Sequence, residues 1–161
     1  MTSAISLTTA PKWHPMREYV RRVIIHGEAT STLVSGEEIL LQREFGDAYL
    51  LATSYDYYDG VHHWFYLLDA HGRVLDLVSP PDYFGFVGDV EAVGTSAIRF
   101  RFLPGGEDWW TLTVNIRGRW WYNADDLRYR LNRFLVLKRH LSLKCEGGRP
   151  IGHLAARSNR I

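Results

Sequence analysis

The sequence predicts an α+β fold: an antiparallel β meander of seven or eight strands, closed into a barrel or strongly bent sheet, with one N-terminal and one C-terminal helix. Three observations predict it. Between residues 37 and 122, short runs alternate apolar and polar side chains, the period of a strand with one covered face. The runs are separated by turn-forming pairs such as Gly46-Asp47, Asp59-Gly60, His71-Gly72, Gly94-Thr95 and Arg117-Gly118. On either side the period lengthens toward that of a helix, over Met16, Tyr19, Val20, Val23 and Ile24 before the meander, and Leu127, Leu131, Phe134 and Leu135 after it.

Residues 1–13 have no periodicity and are expected to form a flexible arm, with Trp13 as its anchor. A helix follows from Pro15 to Ile25, because proline suits a first helical turn and Arg17, Arg21 and Arg22 fall opposite the apolar positions. A strand competes for Val20–Ile25, which is rich in β-branched residues. Gly27–Gly36 is polar and is expected to be a connection. The meander then runs through Glu38–Phe45, Tyr49–Tyr55, Val61–Asp69, Arg73–Val78, Tyr83–Val93, Ala97–Leu103, Trp109–Ile116 and Arg119–Tyr122. Its centre is the hairpin within Asp47–Asp69, whose two strands are apolar or aromatic on both faces and are expected to be heavily buried. In Ala97–Leu103 the alternation places Ile98, Phe100 and Phe102 inward and Arg99 and Arg101 outward. Asn123 suits an N-cap, Asp125 and Asp126 complement the first-turn dipole, and a helix is expected over Ala124–His140, with a last strand over Arg133–Lys144 as the alternative. Residues 146–161 have loop composition, so the globular domain is expected to span 14–145.

A chain of 161 residues with 46% hydrophobic content, six Trp, nine Tyr and seven Phe is too apolar for a disordered chain and suits one aromatic-rich core. Cys145 is the only cysteine, which points to a reducing compartment, and the opening residues lack the basic start and apolar run of a signal peptide. No stretch approaches the roughly 18 apolar residues of a membrane helix. A cytoplasmic location, with no membrane partner, is the expectation. The net charge of +1 conceals a division: residues 37–116 hold thirteen acidic and four basic side chains, residues 117–161 three and eleven. Two faces of opposite sign, or two halves that pair with one another, would each account for it.

No catalytic motif is present. Asp56, Asp59, His62 and His63 crowd together, but adjacent strand residues point to opposite faces, so the two histidines cannot converge on one ion without a bulge. Cys145 lies in no recognisable nucleophile setting. No metal, no cofactor and no enzymatic activity are expected. Trp109-Trp110 and Trp120-Trp121 each place one ring inward and one outward, and outward rings beside arginines would suit single-stranded nucleic acid, though the overall charge disfavours it. The most distinctive stretch is Tyr55-Asp56-Tyr57-Tyr58-Asp59 at the hairpin tip. Tyrosines offer rigid amphipathic contact area and aspartates complement a basic partner, so these five residues, joined by His62, Asp82 and Tyr83, form the candidate partner-binding surface.

With its meander of short strands and acidic aromatic loop, the run SYDYYDGVHHWFYLLDAHGRVLDLVSPPDYFGF resembles, in general character and over residues 37–116, the small cytosolic immunity proteins of bacterial polymorphic toxin systems. That resemblance implies stoichiometric neutralisation of a cognate protein toxin, which would be basic where it meets the acidic loop. The residues leave two other readings open: a carrier of a small apolar ligand inside a β-barrel, and a single-stranded nucleic-acid binder.

Overall fold

The computed structural model describes residues 4–12, 14–16, 18–58, 60–80, 85–102, 107–120 and 138–146. These residues form eleven strands in chain order: β1 (Ile5–Thr9), β2 (Val20–Ile25), β3 (Glu28–Ser35), β4 (Glu38–Phe45), β5 (Ala48–Tyr57), β6 (Gly60–Leu68), β7 (Val74–Val78), β8 (Gly88–Val93), β9 (Ala97–Arg101), β10 (Trp110–Arg119) and β11 (Arg139–Cys145). All pairing is antiparallel, in three open sheets ordered β1-β2-β3, β4-β5-β6-β7 and β11-β10-β9-β8.

The expected α+β class is therefore corrected to all-β, and the single meander to three sheets that do not close into a barrel. Where a helix was expected over Pro15–Ile25, Val20–Ile25 is a strand. Val23 and Ile25 face the core two residues apart while Ile24 is half-buried, which is the strand period. Val20 is also buried, and its three-residue spacing from Val23 imitates a helix. The supposed connection Gly27–Gly36 contains β3, and residues 5–9 of the supposed arm form β1, with Ile5 fully buried. Most of the expected helix Ala124–His140, with its cap Asn123, lies outside the described residues. Its last two positions, Arg139 and His140, open β11, where Leu141 and Leu143 alternate into the core. Glu146 follows β11 and accepts hydrogen bonds from Thr111 and Arg99, which hold its carboxyl below the usual carboxylate range.

The layering explains the doubly apolar central hairpin. Leu50, Ala52, Phe65 and Leu67 of β5 and β6 pack against Ile98, Phe100, Leu112, Val114, Leu141 and Leu143 of the third sheet. The alternate residues Leu51, Trp64, Tyr66 and Leu68 pack against Ile5, Val23, Ile25 and Val34 of the first. The β4–β7 sheet is thus the middle layer of three. Polar pins fix the first sheet onto it: Ser35 N–H donates to Tyr66 Oη at 2.8 Å, Thr53 Oγ1 donates to the Ser35 carbonyl at 2.6 Å, and Ile5 N–H donates to Gln42 Oε1 at 3.1 Å. Burial pushes the Tyr66 hydroxyl up to about 12, so it remains neutral at that junction. Between the second and third sheets the corresponding pin is Asp76, whose Oδ2 accepts the backbone N–H groups of His140 at 2.7 Å and Leu141 at 2.9 Å.

Candidate partner-binding site

The β5–β6 hairpin outruns the strands on both of its sides. Pairing with β4 ends where Glu38 meets Ser54, and pairing with β7 ends where Val78 meets Phe65. Beyond these, the rungs Tyr55↔His62, Asp56↔Val61 and Tyr57↔Gly60 have no third strand beside them among the described residues. At a strand rise of about 3.3 Å per residue, three rungs carry the tip roughly 10 Å past the end of the sheet. The result is a two-stranded finger.

An aromatic ladder stiffens one face of it. Tyr55 and Tyr57 are two residues apart on β5 and so share a face; their ring centroids lie 4.6 Å apart, edge to face. Tyr57 meets the His62 ring at 4.8 Å, and His62 meets Trp64 at 5.7 Å. Tyr19, which immediately precedes β2, closes the ladder from the first sheet at 5.5 Å from Tyr55 and 6.4 Å from Tyr57. Such offset contacts each add modestly to the area they bury and hold the rings in register. On the other face Val61 is buried, whereas Asp56 is exposed.

The eight candidate residues therefore divide by placement. Tyr55, Tyr57 and His62 are half-buried within the ladder and support the finger. Tyr58 stands wholly in solvent, with a relative exposure of 109%, and Asp56 is exposed beside it. Asp59, Asp82 and Tyr83 lie outside the described residues. Sequence reasoning missed Tyr19 as a member of this cluster, having placed it on the apolar face of a helix. No local signal pairs it with Tyr55, since the contact is made only when the first sheet folds onto the second.

The remaining candidates are resolved by direction. His62 belongs to the ladder, while His63 points the other way and packs 4.7 Å from the Phe102 ring, 2% exposed, so the two do not converge. Burial, reinforced by the neighbouring His62, lowers the His63 pKa to about 4, and neither ring nitrogen has a hydrogen-bond partner of good geometry. Among the described residues no group of three or more His, Cys, Asp and Glu is placed to hold a metal ion. Trp110 is buried against Phe102, and Trp109 lies under the guanidinium groups of Arg99 and Arg101 at 4.2 and 4.0 Å. Trp120 is 63% exposed with Lys138 Nζ 5.8 Å from its ring, and Trp121 lies outside the described residues. A groove of about 510 Å³ between the β4–β5 turn and β10 is open to solvent and lined in part by Thr95, Ser96, Thr113 and Asn115. Among the described residues no helix is long and apolar enough to cross a membrane.

Comparison of the chain with protein-family models, curated proteins and solved structures gives no match.

Proposed function

We propose that this protein is a non-enzymatic recognition module that neutralises a partner protein, a cognate toxin, by stoichiometric binding through the β5–β6 finger. The observation that carries the reading is Tyr58, fully exposed at the end of a finger whose base is held by four other aromatic rings and Tyr19. A rigid hairpin presents a tyrosine with little ordering cost on association, which is the character of an anchor residue. Asp56, exposed and unburdened by packing, adds charge that steers a basic surface toward the tip.

The test is binding to the product of the adjacent coding sequence, since an antagonist is commonly encoded beside its target. Tyr58→Ala should weaken that complex by about 2 kcal/mol, roughly thirtyfold in Kd, through faster dissociation. Asp56→Asn should slow association and flatten its salt dependence. An unchanged Kd for Tyr58→Ala would remove the finger from the interface and the reading with it.

A further inference from the structure

Strand β10 carries an enlarged bulge beside the groove that separates it from the β4–β5 turn. Its pairing with β11 sets Val114 opposite Leu141 and next Arg119 opposite Arg139, so residues 115–118 stand against the single residue His140. Pairing with β9 has already ended at Thr113↔Ala97, so these residues have no rung on that side either among the described residues. The bulge is held in place. His140 Nδ1 meets the Asn115 carbonyl at 3.0 Å, where only a ring N–H can donate. Gly118 takes φ +70°, and a Cβ there would lie 2.8 Å from Lys138 Cγ and 2.9 Å from His140 Cε1. A bulge bends its strand and re-aims side chains. Here it carries Ile116 and Arg117, both exposed, into the wall of the groove.

The lining is rich in uncommitted donors. Thr95, Ser96 and Thr113 contribute hydroxyls, Asn115 an amide and Arg117 a guanidinium, and among the described residues none of these side chains is hydrogen-bonded or ion-paired within the protein. Arg117 is the one charged residue of the lining, which contains no carboxylate. At about 510 Å³ the groove has room for a small organic molecule. We infer that it binds a small organic acid bearing one carboxylate, which pairs with Arg117 while an apolar body lies against Ile116 and Phe45. A guanidinium holds a carboxylate through two parallel N–H···O bonds, and the neighbouring hydroxyls and amide serve the remaining lone pairs. The flanks set the charge. Glu44 and Asp47 are exposed on either side of the lining residues Phe45 and Gly46 without lining the groove themselves. A dianion such as a phosphate ester would therefore meet repulsion that a single guanidinium offsets only in part. This site is separate from the finger, and the inference does not rest on the finger being a binding site.

The experiment titrates the full chain with 3-phenylpropionate and follows backbone amide shifts. Three controls separate the parts of the ligand: 3-phenylpropionamide, which is neutral, 2-phenylethyl phosphate, which carries close to two charges near pH 7, and acetate, which keeps the head and lacks the body. Saturable shifts confined to residues 45–46, 95–96 and 113–117, with 3-phenylpropionate bound about tenfold or more tighter than each control, support the inference. Arg117→Gln, checked for an unchanged melting temperature, should reduce the affinity for 3-phenylpropionate to that for the amide. Tyr58→Ala should leave it untouched, and Asp47→Asn should narrow the margin over the phosphate. Equal binding of the acid and its amide, or of the acid and acetate, would overturn the inference. So would tighter binding of the phosphate, an affinity that survives Arg117→Gln, shifts mapping elsewhere, or no saturable binding.

Discussion

The carboxylate of Asp76 accepts the backbone N–H of Leu141 at 2.9 Å, sixty-five residues away, and so joins the edges of two sheets that share no strand pairing among the described residues. The same oxygen takes the N–H of His140, and Oδ1 takes that of Leu77. Asp76 is 1% exposed, and so is Arg139, the residue before this junction. Removing the acceptor leaves the wholly buried Leu141 N–H, and the part-buried N–H groups of His140 and Leu77, without this partner. Asp76→Ala should therefore cost about 3 kcal/mol or more in urea unfolding, and Asp76→Asn, which keeps one carbonyl oxygen, roughly half as much. Equal losses for the two variants would show that charge and not acceptor geometry matters at this site.

His63 gives the protein an acid limb. Its pKa is about 4 in the folded state against an ordinary 6.5, so the unfolded chain binds the extra proton first. The neutral ring's contribution is fully present above about pH 6.5 and is lost progressively as pH falls toward 4, for a total of about 3 kcal/mol. Substituting leucine should flatten that part of the curve. Between pH 7 and 4 the unfolding free energy of wild type should fall relative to that of His63→Leu by about 3 kcal/mol, and parallel curves would contradict the assignment.

At Gly36 the chain crosses from the first sheet to the second with φ +101°, and an added Cβ would lie 2.7 Å from both Cβ and Oγ1 of Thr53. That contact competes with the Thr53–Ser35 hydrogen bond. Gly36→Ala should cost more than 2 kcal/mol, whereas Gly27→Ala, at φ +84° but with open space around it, should cost about 1 kcal/mol. Thermal unfolding of the two variants side by side checks the order.

The finger's two adjacent tyrosines should separate in stability. Tyr57 touches Tyr55, Tyr19 and His62, so Tyr57→Ala should lose about 1–2 kcal/mol. Tyr58→Ala should stay within about 0.5 kcal/mol of wild type, because nothing in the fold covers it. A large loss for Tyr58→Ala would make the tip structural.

The strands β4 to β7 and β9 were readable because their alternation is regular, as in Ile98, Phe100 and Phe102, whereas the turn expected at Arg117-Gly118 lies inside β10, which runs on to Arg119, and the strand expected over Tyr83–Val93 begins only at Gly88. The first sheet was hidden by its position as an outer layer. Only Val34 of β3 is fully buried, and its threonines and serines, half-buried apart from the exposed Ser31, resemble a loop in sequence; the β-branched Thr30, Thr32 and Val34 were the one signal available. In β2 the additional burial of Val20 disguised the strand period. At the candidate site, the tip's tyrosines and aspartates could be picked out by type, but not their division into Tyr57 packed as support and Tyr58 left in solvent. That division depends on Tyr19, which packs against the finger from a different sheet. Direction alone could be reasoned for His62 and His63, since neighbours on a strand must point apart.

The middle sheet makes the order of synthesis matter. All of its strands precede residue 79, yet the residues that cover its second face, from Ile98 to Leu143, emerge last. A nascent or truncated chain ending near residue 95 would hold Leu50, Phe65 and Leu67 in a folded hairpin with nothing laid over them. Such an intermediate is a natural client for a chaperone, and a premature stop in this region would yield aggregate and not a smaller working protein.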